Sequence, residues 1–278
     1  MAQGKQALKS RIKSTGATIK ITSAMKLMAN AKLAKQKTQM QKNREYSSVL
    51  IDTMHQILAR VDSNENIYLK SNNSNKVLYI IFSSDLGLCG GYNTNMLRHV
   101  LPSLDTDDLI MVVGSKGRKW LNARNYEVMN DYLNSDDFCY NDATNIINEA
   151  LKLYLNNEIG KIKVVYTEFV NTVVFNPVVS LLLPVEKKDV VKMNKEILFE
   201  PSCDEILNTL IPMALKSALY SNWLETKTSE QASRRVAMEN ATDNANELKD
   251  KLVLQFNQAR QAAITQELTE IVAGADSI

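Results

Sequence analysis

Glycine and proline are scarce in this chain, nine and five among 278 residues, about 5% together where a typical protein has about 12%. β-sandwiches and barrels need turn residues at short intervals, so the shortage argues against them. Intrinsic disorder is argued against by the 45% hydrophobic content. Three cysteines (Cys89, Cys139, Cys203) and two histidines supply neither a disulfide framework nor a zinc spacing, and a reducing compartment is expected. Apolar runs such as Val77–Phe82 fall far short of the ~18 residues that a membrane span needs. Carboxylates are absent before Glu45, while residues 1–44 hold nine Lys and two Arg. The net charge is +2, so the rest of the chain carries −9. The basic stretch runs on through Lys42 and Arg44, longer than most targeting segments, and is read as mature structure.

What remains is built for helices. Neither Gly nor Pro occurs between Gly16 and Gly87, or between Pro212 and Gly274. Because Pro costs ~3 kcal/mol and Gly ~1 in a helix interior, these stretches allow continuous helices. The first is expected to run from Gln6 to Val61, with Leu50, Met54, Ile57, Leu58 and Val61 at helical spacing. Its earlier apolar positions are Leu8, Ile12, Ile19, Met25 and Met28. The last helix carries a seam of Ala241, Ala245, Leu248, Leu252, Ala259 and Ala263. Periodicity leaves two arrangements open, a slender two-helix pair or a helix packed on an ordinary bundle.

The middle changes character. Residues 76–82, 109–114 and 161–170 are β-rich apolar runs, 141–157 is helical, and 180–185 reads as an edge strand because Pro184 cannot donate to a ladder. Strand alternating with helix implies an α/β layer with a largely parallel sheet.

Five of the nine glycines fall in residues 87–117. Neither GlyLeuCysGlyGly (87–91) nor GlySerLysGlyArgLys (114–119) has the spacing of a phosphate loop or a dinucleotide fingerprint, and both are read as tight turns. Cys89 is read as a small core residue. No nucleophile–base pair emerges. No aromatic interleaves the basic N-terminal face, which argues against nucleic acid. It also lacks an apolar stripe with Trp or Phe, which argues against a membrane surface. An acidic protein partner remains, or several surfaces met in turn.

IleThrSerAlaMetLysLeuMetAlaAsnAlaLysLeu (21–33) resembles the N-terminal helix motif of the gamma subunit of F-type ATP synthases. AlaMetGluAsnAlaThrAspAsnAla (237–245) and residues 259–275, from AlaArgGlnAlaAlaIleThrGlnGluLeu onward, are similar to that family's C-terminal signature. SerAspLeuGlyLeuCysGlyGlyTyrAsn (84–93) and GlySerLysGlyArgLys (114–119) resemble its central motifs. Leu86 and Asn30 depart from the family pattern, which bears on local contacts.

The resemblance implies an α/β protein: a long antiparallel coiled coil of N-terminal (1–61) and C-terminal (205–278) helices, with an inserted Rossmann-like domain (76–196). It implies a central rotor, without catalytic residues or cofactor. Such a rotor turns with epsilon and the c-ring inside three alpha and three beta subunits, peripheral to the cytoplasmic face of the cell membrane. By matching position, Met25, Lys26, Lys32 and Lys35 would face the beta levers. Arg260, Gln261, Thr265 and Glu267 would meet a beta catch loop, and Ile264, Leu268, Ile271 and Val272 an apolar bearing. Glu200, in IleLeuPheGluPro (197–201), would sit on the c-ring. The alternatives are a rotor of a dedicated ATP-hydrolysing motor and a coiled-coil adaptor without a motor.

Overall fold

The computed structural model describes residues 2–59, 67–69, 72, 74–185 and 202–275. The chain opens with α1 (Ala2–Leu58) and closes with α5 (Cys203–Ala275). Between them come β1 (Val77–Phe82), α2 (Tyr92–Val100), β2 (Leu109–Val113), α3 (Ser115–Asn122), α4 (Tyr140–Leu155), β3 (Lys161–Phe169) and β4 (Phe175–Leu183). Pro212 lies inside α5. Leu207, Ile211, Leu215 and Leu219 around it are buried, and their packing offsets the ~3 kcal/mol that an interior proline costs. Two compact units result, one of residues 1–30 and 234–278, the other of residues 31–233.

The larger unit is built on a sheet of order β2-β1-β3-β4. Its first three strands are parallel, and β4 pairs antiparallel with β3 at the edge. Residues alternate between two cores. Leu78, Ile80 and Phe82 of β1 face a core shared with α4 and with buried residues of α1 and α5. Tyr79 and Ile81 face α2 and α3. Burial on both faces is why β1 and β2 are continuous apolar runs. Pro177 is tolerated in β4 because that strand is an edge.

The glycine motifs are structural. Gly114 has φ +98, and a Cβ there would lie 2.2 Å from the Ser83 carbonyl oxygen. A Cβ on Gly117 would lie 2.7 Å from the Ser83 hydroxyl, which accepts the Gly117 N–H at 2.9 Å. The close approach of Ser83 therefore requires both glycines. Cys89 is buried beside Asn93, whose amide donates to its sulfur at 3.4 Å. The Asp85 carboxylate accepts from the N–H groups of Ser115 (2.8 Å) and Ser135 (2.6 Å) and from the Tyr132 hydroxyl (2.7 Å).

α5 docks on this layer through a polar stretch, Thr226–Arg234, in which nearly every residue is buried. Pairing of β1 with β3 ends at Ile81 opposite Val165. Two residues on, the Thr167 N–H donates to Thr226 Oγ1 (3.3 Å), and its carbonyl accepts from Ser229 Oγ (3.1 Å). Ser233 donates to the Cys89 carbonyl (2.7 Å), and Trp223 Nε1 to that of Ser135 (3.0 Å). Lys227, 1% exposed, donates to Asp136 and to Glu230 Oε2 at 2.7 Å. Burial alone would lower the Lys227 pKa, but the Glu230 and Asp136 carboxylates more than offset it and hold the group above its ordinary 10.5. Burial, with the nearby charges of Glu225 and Glu168, pushes Tyr166 up to about 12.

In the smaller unit the Thr242 hydroxyl of α5 donates to that of Thr22 in α1 (2.7 Å), and Lys26 stands 3.6 Å from Glu239. Rising numbers in α1 thus meet falling numbers in α5, and the two segments run in opposite directions. From Thr242 on, the less exposed positions of α5 are Thr242, Ala245, Lys249, Leu252, Phe256, Ala259 and Ala263, in strict alternation of three and four, and Ala241, expected on the seam, is half-buried beside them. Leu248, expected on the seam, is 44% exposed, and Lys249 takes its place.

Two outcomes follow from this packing. Gly114→Ala should lower the stability of the chain by about 3 kcal/mol, because the backbone at φ > 0 and Ser83 both resist a Cβ. Gly16→Ala, mid-helix with nothing within 4 Å of a new Cβ, should raise it by about 1 kcal/mol; urea unfolding reads both. Lys227 and Tyr166 both hold their protons more tightly folded than unfolded. Their stabilisation is complete below about pH 10 and is lost as the pH rises through the folded-state values. Urea midpoints should therefore hold steady up to about pH 10 and fall beyond it, and Tyr166→Phe should reduce that fall.

Candidate functional site

The candidate positions lie on the long helices, where regular spacing sets which of them share a face. In α1, Met25 and Lys26 are half-buried, and Lys32 and Lys35 are exposed. Lys26 belongs to a small ion-pair network: Glu239 accepts from Arg235 at 3.1 Å, one turn away on α5, and faces Lys26 at 3.6 Å. Lys32 stands 3.8 Å from Asp136, the carboxylate that also meets Lys227. Both lysines therefore have partners within the chain. Lys35 lies three residues beyond Lys32 on the same face. Around them Ile21, Leu27 and Met28 are 60%, 67% and 59% exposed, an apolar surface that the chain does not cover.

Near the end of α5, Arg260, Gln261, Thr265 and Glu267 are all exposed. Two adjoining stripes form at helical spacing. Arg260, Ile264, Glu267 and Ile271 make one, and Gln261, Thr265, Leu268 and Val272 the other. The Thr265 hydroxyl donates to the Gln261 carbonyl at 3.0 Å, so its proton is committed and it meets a partner as an acceptor. Arg260 presents a fork suited to a carboxylate. The seam of α5 ends at Ala263, and described side chains beyond it are exposed, including Ile264 (47%), Leu268 (58%), Ile271 (68%) and Val272 (59%). Glu200, with Ile197 and Phe199, lies outside the described residues.

Sequence reasoning missed Asp136, Lys227, Glu230, Arg235 and Glu239. The available signal was the run of Thr226, Thr228, Ser229 and Ser233, hydroxyls that weaken a helix unless they bond elsewhere. Among the described residues no group of His, Cys, Asp and Glu could hold a metal ion. Among the same residues, no helix is long and apolar enough to cross a membrane.

A family model described as ATP synthase matches residues 4–278. The ATP synthase gamma chain of Clostridium kluyveri is 40% identical over 275 residues, covering 98% of this chain and 97% of the relative. That of Mycoplasma mycoides is 39% identical over 274 residues, covering 97% of each. Among solved structures, a chain of the Tetrahymena thermophila mitochondrial ATP synthase central stalk and c-ring aligns with a TM-score of 0.61 at 22% identity, over 80% of this chain and 99% of that one. A chain from the Euglena gracilis mitochondrial ATP synthase aligns with a TM-score of 0.61 at 18% identity, over 92% of this chain and 95% of that one. At these identities the solved structures establish a shared fold, a mixed α/β layer with long terminal helices. The near-full-length matches to curated gamma chains go further, and on them the chain belongs to the ATP synthase gamma-chain family.

Proposed function

We propose that this chain is the central rotor of an F-type ATP synthase, carrying torque between a proton-driven c-ring and a catalytic ring of three alpha and three beta subunits. Its segments are a coiled coil of residues 1–61 and 205–278 and a Rossmann-like domain of 76–196. It turns with epsilon, is peripheral to the cytoplasmic face of the membrane, and performs no catalysis itself. The observation that carries this reading is the uncovered end of α5. Past Ala263 its two stripes expose four large apolar side chains beside Arg260, Gln261, Thr265 and Glu267. A helix that buries nothing of its own there is built to be enclosed by other chains. The Tetrahymena thermophila relative, part of a central stalk and c-ring, agrees with this reading.

In this reading Arg260 and Gln261 form an angular catch. A loop fixed on one beta subunit meets them at one rotor angle. Losing a charged hydrogen bond costs ~1.5–3 kcal/mol, so Arg260→Ala/Gln261→Ala should lower steady-state ATPase of the reconstituted complex about tenfold at saturating ATP. Wild-type turnover with the rotor verifiably present would remove the catch. The lysines act differently. Lys26 is 36% and Lys32 55% exposed at the side chain, and exposed pairs contribute only ~0–1 kcal/mol. Single Lys→Ala changes at 26, 32 and 35 should therefore leave turnover within about twofold, and joint reversal of all three to Glu should lower it further. The direct test of the reading is co-assembly: with alpha and beta subunits the chain should appear once per ring, and a chain that ignores them is no rotor.

A further inference from the structure

We propose that buried Lys227 and Glu230, together with the partly exposed Asp136 they meet, form a torsional clamp, which fixes α5 at one rotational setting against the α/β layer so that torque passes between them. The inference rests on the rotor reading. Its basis is that three elements meet there through charges, of which Lys227 and Glu230 have no exit to water. Lys227 and Glu230 are each 1% exposed. Asp136 comes from the segment between α3 and α4, and its neighbour Ser135 is pinned at both ends. The Ser135 N–H donates to Asp85 in the loop after β1, and its carbonyl accepts from Trp223 of α5. Lys32 of α1 stands on the outer oxygen of the same carboxylate at 3.8 Å.

Physical chemistry separates this cluster from the apolar packing around it. Hydrophobic contact is non-directional, and a helix turned slightly in an oily groove still buries its side chains. Hydrogen-bonded ions are directional. A turn of α5 by one residue position, about 100°, carries Glu230 along with Lys227, since both lie on that helix, but takes Lys227 off Asp136 of the layer and leaves a buried ammonium with one carboxylate. Buried ion pairs contribute little to static stability beyond an apolar substitute, while a separated buried charge is strongly unfavourable. The cluster therefore adds resistance to twist. The hydroxyl bonds of Thr226, Ser229 and Ser233 to Thr167 and Cys89 hold the same stretch against sliding along its axis.

The test separates a clamp from a merely structural element. Lys227→Met/Glu230→Met removes the buried charges as a pair and leaves Asp136 with Lys32 and partial exposure of 31%. In the complete complex reconstituted into sealed vesicles, ATPase without an opposing proton gradient should stay within about twofold of wild type, and thermal stability of the chain should be unchanged or raised. Protons moved per ATP hydrolysed should fall at least about threefold as the opposing gradient reaches its maximum. Lys227→Arg, which keeps the charge, should hold the wild-type ratio. A paired variant that keeps the wild-type ratio at every gradient overturns the clamp. A paired variant that does not fold also overturns it, by making the cluster a requirement of folding. If the wild-type chain moves no protons in the complex, the rotor reading itself fails, and that outcome is read before any variant.

Discussion

The open edge of β3 is the constraint on which the rest depends. β1 leaves its neighbour after Val165, and β3 runs on to Phe169. Thr167 is left with an N–H and a carbonyl that no strand takes. A buried peptide group without a partner is unfavourable by roughly 1–3 kcal/mol, so something must bond there. α5 does, and it does so with side chains, because a helix has no spare backbone donors in its interior. That requirement explains why a buried helix face is written in Thr, Ser, Lys, Glu, Gln and Arg. Once such a face is committed, its charges must balance locally. Lys227 faces Glu230 and Asp136, and Arg44 of α1 holds Glu225 at 2.7 Å.

Where the paired segments of α1 and α5 meet, the solution is different. Residues at alternating spacings of three and four, alanines among them, bring the helices together, and the hydroxyl pair of Thr22 and Thr242 marks their register. A narrow seam leaves wide outer faces. On α1 these carry Ile21, Leu27 and Met28, and on α5 the end has no inner face at all. The same helix thus passes from complete burial at Thr226–Arg234 to complete exposure beyond Ala263. Exposed apolar stripes flanked by Arg260 and Glu267 suit chains that enclose the helix, whereas a monomer would gain from polar residues there.

Much of this was legible in residue type. β1, β2 and β3 begin and end within a residue or two of the expected runs; in β1 and β2 burial on both faces leaves no polar interruption, while β3 keeps its run despite Lys161, Lys163 and Glu168. β4 starts at Phe175 and not at Ser180, because Asn176 and Pro177 look like breakers and an edge strand tolerates them. The two long helices could be read from missing breakers, but Pro212 inside α5 could not, since distant packing decides it. Leu248 misled because alanine-rich periodicity fits neighbouring registers almost equally well, and only the partner helix selects Lys249. At the site, Gln261 and Thr265 share a face as their spacing requires. The partners of Lys26 and Lys32 were illegible, because Glu239 and Asp136 lie far away in sequence. The polar dock was illegible for a deeper reason: its composition is that of a solvated helix, and only the gap beside Thr167 makes it an interior.

The central claim is that this chain turns inside a ring of other subunits and transmits torque. Direct observation of rotation tests it. A bead fixed to the α/β layer of the chain, in a complex whose alpha and beta subunits are anchored to a surface, should turn in one direction when ATP is added, pausing at thirds of a turn as a ring of three catalytic pairs requires. A bead that stays still or moves without direction, in complexes that hydrolyse ATP and contain the chain, would contradict the account.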